Sequence, residues 1–314
     1  MEIVWLLLSL VILYLGAEGL VSGASSLAKR IGISPLVIGL TIVSIGTSAP
    51  ELVVSVKAAL NGQSALSIGN VLGSNFFNIG IILGLSAIIY PLAVKRQLLK
   101  LDVPVMVLAS VLFFLLFLDS KISRGEALIF MLLFVSYTAY LLISSKKKDT
   151  TNTGDKKNED EIRLSKHWVI DVLFIGVGLV ALVYGSDLLV DNAVIIAERL
   201  GMSEAIIGLT IVAAGTSMPE LATSVVAAIK KRSDIAIGNV VGSNIFNILL
   251  ILGVAGLIQP ISTPDINYMD SLSVIGISLL LWFFMKKSSR IGRWQGVVFI
   301  LFFLTYFYFK LSSM

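Results

Sequence analysis

Two carboxylates stand where a bilayer-spanning chain has no ordinary use for them. Glu51 lies in IGTSAPEL (45–52) and Glu220 in AGTSMPEL (214–221), each inside an otherwise apolar run. A charge at the centre of a membrane helix costs about 2.5–3.5 kcal/mol on insertion scales. A second one at an equivalent site adds like-charge repulsion, so the pair persists only if protons, a basic partner or a bound cation offset it. The basic side chain at comparable depth is Lys57, six residues after Glu51, and its counterpart in the second stretch is Val226. A helix-internal ion pair therefore serves one carboxylate and not both.

The neighbouring residues supply oxygen. Residues three and four apart share a helix face, which places Thr47 and Ser48 beside Glu51 with Ser44 one turn further, and Thr216 and Ser217 beside Glu220. Pro50 and Pro219 lack an N–H and clash with the carbonyl four residues back, at Gly46 and Gly215, so each helix is predicted to break there and turn carbonyls inward. Irregular backbone at membrane depth is tolerated where it lines a cavity. The next span adds Asn70, Ser74 and Asn78 at intervals of four, matched by Asn239, Ser243 and Asn247. This set of carboxylate, carbonyl, hydroxyl and amide oxygens suits Ca²⁺, which takes about 6–8 such ligands, and Na⁺ favours the same donors. Zinc, copper and iron prefer His or Cys, but the chain has no cysteine and a single His167 at the end of a polar stretch. Two carboxylates neutralise one Ca²⁺ or two Na⁺, and competition for one set of oxygens couples two ions in opposite directions.

Other residues at depth admit two readings. Asn70, Asn75, Asn239 and Asn244 are ligands or, equally, packing and carbonyl-bonding residues. Gly39, Gly69, Gly73 and Gly84, with Gly208, Gly238, Gly242 and Gly253, are read as small residues that let helices pack closely. Glu18 and Asp187 either line an ion access path or sit near an interface, the latter being preferred.

The elements that must position these residues are membrane helices. The chain has 314 residues, 56% hydrophobic and 14% charged, with mean hydropathy +0.94, where a soluble protein carries about 25% charged residues. Apolar runs of about 20 residues recur throughout, the length that crosses a bilayer. Ten spans are predicted, near 3–27, 35–60, 65–91, 102–119, 125–144, 168–194, 204–229, 235–259, 267–286 and 294–312. Glu2 stands where a secretory signal would carry positive charge, so the first run reads as a retained span. Residues 144–166 are polar and aperiodic, and read as a flexible linker between halves 1–143 and 167–314, a solvated tether rather than a regulatory element. Lys and Arg number nineteen in one set of alternate loops, linker included, against four in the other. That bias places the linker in the cytoplasm and both termini outside, in the plasma membrane. It also accounts for the pI of about 9.2 without nucleic acid as a partner.

The chain contains an internal repeat. Gly32–Pro91 lies on Gly201–Pro260 without a gap, with roughly 34 of 60 positions identical, far beyond the weak symmetry usual for transporter repeats. The register extends back to LGAEGLVSGA (15–24) against YGSDLLVDNA (184–193). Five spans is an odd number, so the second half enters the membrane from the opposite side, and the halves are predicted to be inverted repeats. That favours a transporter with one gate on each face over a fixed channel. An intramembrane enzyme is disfavoured, because neither a cysteine nor a Ser–Lys pair lies at depth.

At these residues the chain resembles the cation/Ca²⁺ exchanger superfamily, and within it the prokaryotic Na⁺/Ca²⁺ exchangers. The motifs GTSAPEL…GNVLGSNFFN and GTSMPEL…GNVVGSNIFN carry the resemblance. It implies Glu51 and Glu220 as the main Ca²⁺ carboxylates, backbone carbonyls from Thr47 and Thr216, and Asn78 and Asn247 closing the central site. Flanking Na⁺ sites would use Ser48, Ser74, Ser217 and Ser243 with carbonyls near Ser44 and Ala213. Short first and sixth spans are expected to slide against the rest. Some relatives, among them K⁺-dependent exchangers, carry Asp where this chain has Asn247, which argues against K⁺ co-transport. The expected function is electrogenic Na⁺/Ca²⁺ antiport without a cofactor, with H⁺/Ca²⁺ antiport as the alternative.

Overall fold

A computed structural model describes residues 2–148, 167–201, 213–263 and 268–312. These form an all-helical membrane protein. In chain order the helices are α1 Glu2–Ile31, α2 Pro35–Thr47, α3 Ala49–Leu60, α4 Ser64–Ile89, α5 Leu98–Asp119, α6 Arg124–Lys148, α7 Trp168–Arg199, α8 Met218–Ile229, α9 Ser233–Ile258, α10 Tyr268–Lys287 and α11 Arg293–Ser312. A short turn, Ala213–Gly215, precedes α8. Among the described residues seven helices are long and apolar enough to cross a bilayer, and α2 with α3, bent by 48°, passes the same test as a pair. The predicted span at 204–229 falls partly outside the described residues, which leaves α8 as its visible half.

The first and sixth spans depart from expectation: at 30 and 32 residues, α1 and α7 are long rather than short. Their length follows from composition, since neither contains a proline and the polar residues sit mainly at the ends. Glu2 in the first turn of α1 and Lys29 and Arg30 in its last turn complement the helix dipole. Gly32, at φ 67°, ends it in the left-handed conformation that glycine adopts without strain. Ser34 then caps α2, its hydroxyl accepting from the Val37 N–H at 3.3 Å. Pro35 occupies the first turn, where no N–H is needed.

Helices α1 and α7 pack along one another at backbone distance. A Cβ on Gly16 would lie 2.9 Å from the Gly178 carbonyl oxygen, and one on Gly178 would lie 2.7 Å from that of Gly16. Each end of the pair is closed by an arginine: Arg30 to Asp171 at 3.0 Å and Arg199 to Glu2 at 2.8 Å. These two bridges occupy corresponding positions of the repeat. Glu18, half-way along α1, bonds Lys230 at 2.9 Å, so it sits at an interface with the end of α8.

Two short antiparallel ladders tie the halves together. In one, β1 (Leu92–Ala93) pairs with β4 (Arg290–Ile291); in the other, β2 (Lys121–Ile122) pairs with β3 (Ile261–Ser262). Each ladder takes one strand from each half. Between them lies the core, where α4 and α9 are the most enclosed of the candidate spans.

Candidate functional site

The site forms where the break between α2 and α3 faces the equivalent break before α8, with α4 and α9 alongside. Pro50 removes the N–H that would bond the Gly46 carbonyl, and the chain bends there. Ser48 (φ −82°, ψ 9°) and Ser217 (φ −90°, ψ 7°) are the pivots, and Ser48 N–H to Ser44 O and Leu52 N–H to Ser48 O bracket the first bend at 3.0 and 3.1 Å. The freed carbonyls do not all face the site. That of Gly215, the carbonyl that Pro219 frees, accepts from Ser186 Oγ of α7 at 2.6 Å. Alanine occupies the corresponding position 17, so no such cap exists for Gly46.

Glu51 and Glu220 are both 1% exposed. Each is served by the other half. Ser217 Oγ donates to Glu51 Oε1 at 3.0 Å, and Ser48 Oγ donates to Glu220 Oε1 at 2.9 Å. The serine pairs close the ring, Ser217 with Ser74 at 3.2 Å and Ser48 with Ser243 at 3.0 Å. Neither carboxylate makes an ion pair among the described residues, and Lys57 is exposed. The second oxygens, Glu51 Oε2 and Glu220 Oε2, are buried without a hydrogen bond, as are Asn78 Oδ1, Asn247 Oδ1 and Thr216 Oγ1. Buried carboxylate oxygens left bare are costly, and bare carboxylate and amide oxygens of this chemistry fit a hard cation carried as substrate.

The asparagines separate into three pairs. Asn78 and Asn247 begin wide π-helical turns, Asn78–Leu83 and Asn247–Ile251, a feature frequent at functional sites. Their amide nitrogens are held by the opposite half, Asn78 Nδ2 on Asn244 Oδ1 at 3.0 Å and Asn247 Nδ2 on Asn75 Oδ1 at 2.9 Å. That leaves each amide oxygen free to point elsewhere. Asn75 and Asn244 bond each other's backbone carbonyls, both at 3.2 Å, and serve as cross-ties. Asn70 and Asn239 bond the Glu51 and Glu220 carbonyls and the hydroxyls of Ser55 and Ser224. Ser55 and Ser224 were missed at the sequence level; their position one turn beyond each glutamate was the available signal.

Ser44 is buried; its hydroxyl donates to Thr41 O at 3.1 Å and its carbonyl accepts from Ser48 N–H at 3.0 Å. Thr47 is buried and donates to Asn239 Oδ1 at 3.1 Å. Ala213 opens the short turn before Thr216, and its side chain lies outside the described residues, as does Gly208. Of the other glycines read as packing residues, Gly39, Gly84, Gly238, Gly242 and Gly253 are in close contact, whereas Gly69 and Gly73 are exposed.

Residues 1–143 and 170–312 match the sequence profile of a family described as sodium/calcium exchanger protein. The chain belongs to the sodium/calcium exchanger family. Its curated relatives include the sodium/calcium exchanger MaX1 of Methanosarcina acetivorans, 36% identical over 96% of both chains. Another is the inner membrane protein YrbG of Escherichia coli (strain K12), 36% identical over 93% of this chain and 91% of that one. Among solved structures, the sodium-calcium exchanger NCX_Mj, soaked without Na⁺ and Ca²⁺, superposes with a TM-score of 0.83 at 34% identity, covering 97% of each chain. Membership makes this a multi-pass membrane transporter, with cation/Ca²⁺ exchange as its activity.

Proposed function

We propose that the protein is an electrogenic, K⁺-independent Na⁺/Ca²⁺ antiporter of the plasma membrane, built as ten spans in two inverted five-span halves, 1–143 and 167–314. Residues 144–166 form a cytoplasmic tether and both termini lie outside, as the Lys/Arg asymmetry supports. The observation that carries the reading is the pair of buried glutamates, each bonded by the other half's serine and each left with one bare oxygen. Each half completes the other's site, as an alternating-access carrier with mirrored gates requires.

Glu51 and Glu220 bind Ca²⁺, with Asn78 and Asn247 oxygens and the Thr47 and Thr216 carbonyls completing the shell. The Ser48–Ser243 and Ser217–Ser74 pairs, with carbonyls near Ser44 and Ala213, form flanking Na⁺ sites. These sites can hold more than two Na⁺ against one Ca²⁺, so the exchange moves net charge. Reconstituted vesicles test this directly. Ca²⁺ uptake should follow an outward Na⁺ gradient, ignore K⁺ and respond to membrane potential. Uptake that tracks a pH gradient and ignores Na⁺ would instead identify a proton-coupled antiporter.

A further inference from the structure

We infer that Ser186 is a positioning residue for Glu51: from α7, its hydroxyl fixes the break before α8 and so aims Ser217 at the carboxylate of the opposite half. The inference rests on the reading of the two glutamates as the cation site and deepens it.

Helix α7 backs both proline breaks with one face. Leu179, Ser186 and Val190 follow one another at intervals of seven and four, which puts them on a common stripe of the helix. A Cβ on Gly46 would lie 2.6 Å from Leu179 Cδ2, and one on Gly215 would run into the Val190 side chain. Both of those contacts are apolar. Between them Ser186, itself buried, makes a polar one, its Oγ donating to the Gly215 carbonyl oxygen at 2.6 Å.

A buried carbonyl that a proline has freed needs another donor. At Gly215 that donor comes from α7, so the carbonyl is held against the helix and not offered to an ion. The peptide fixed in this way leads into Ser217, two residues on. Ser217 Oγ donates to Glu51 Oε1 at 3.0 Å and lies 3.2 Å from Ser74 Oγ. The backbone of the two breaks differs at the same place. Ser48 N–H reaches four residues back, to Ser44 O at 3.0 Å, whereas Ser217 N–H reaches three back, to Ala214 O at 3.2 Å. The repeat sets Ala17 against Ser186, so the residue at that register gives the first break no hydroxyl. The two crossed Ser–Glu pairs are alike in length, but only the one that serves Glu51 is braced through Ser186.

Calorimetric Ca²⁺ titration of the purified protein tests this in a double-mutant cycle. Ser186→Ala should raise the Ca²⁺ Kd about two- to tenfold, the worth of one hydrogen bond, and Ser186→Thr, which keeps the hydroxyl, should restore it. In a Ser217→Ala background the same change should add less than about twofold, because the group being aimed is gone. In a Ser48→Ala background it should multiply in full, because Ser48 serves the other glutamate. A general loosening of the fold would weaken binding equally in both backgrounds. That result overturns the proposal, as does an unchanged Kd in Ser186→Ala. Should Ser186→Ala fail to assemble, Ser186→Cys, a weak donor of similar size, enters the same cycle and must show the same dependence on Ser217. Wild-type Ca²⁺ affinity in Glu51→Gln would bring down the site reading and this inference together. Weakened binding in Glu51→Gln beside an indifferent Ser186→Ala brings down this one only.

Discussion

Each glutamate keeps one oxygen bonded to a serine and one oxygen bare, and the bare oxygen is the one a cation needs. Glu51→Gln and Glu220→Gln preserve shape while removing the charge. Either change should weaken Ca²⁺ binding about ten- to hundredfold, the scale of a lost charge-assisted interaction, as read by calorimetric titration of the purified protein. Unchanged affinity in either variant would dissolve the two-carboxylate site. Ser48→Ala removes a donor to Glu220 and a partner of Ser243 together, and should depress Na⁺-driven flux more than Ca²⁺ binding. The oxygen set was legible in the sequence because the i−3 and i−4 spacing on one face is local geometry. The division of labour among the asparagines was not. Asn75 and Asn78 stand one turn apart on α4, and only the opposing half's Asn244 and Asn247 decide which amide is tied and which is free.

Among the elements, the proline break and the glycine seam make opposite demands. Pro50→Ala supplies the missing N–H and should straighten the 48° bend. The expected result is a protein no less stable but deficient in transport, because Glu51 is carried away from Ser217; full activity would mean the bend is not what aims the carboxylate. At the seam, Gly178→Leu forces a side chain into the Gly16 carbonyl and the Leu20 backbone. It should cost about 1–3 kcal/mol and lower the Tm by several degrees, whereas Gly176→Leu, which meets nothing within 4 Å, should not. The glycines announced close packing, but the sequence did not say of what. Gly238 packs against the Leu36 carbonyl and Gly39 of the opposite half, a partner no local pattern names; the repeat mates of those two residues, 205 and 208, lie outside the described residues. The expected shortness of the first and sixth spans failed for a plainer reason: their composition contains nothing that would stop a helix.

At the scale of the whole molecule, periodic apolar runs gave most of the spans correctly, since crossing a bilayer leaves little freedom in length. What hydropathy could not supply was the cross-connection of the halves. No local pattern announces that Leu92 will pair with Ile291 and Ile122 with Ile261, because two-residue strands owe their existence to a partner in the distant half of the chain. The ladders, the reciprocal Asn75–Asn244 bonds and the crossed Ser–Glu pairs all join residues of one half to the other without a covalent bond. Continuity of the chain is therefore dispensable to the finished molecule. Residues 1–155 and 156–314, synthesised as two separate polypeptides in one cell, should find each other in the bilayer and co-purify as a heterodimer that restores Ca²⁺ flux, while either fragment alone should be inert. A gene for such a protein could be split at this point, or assembled from two, without redesigning its interior.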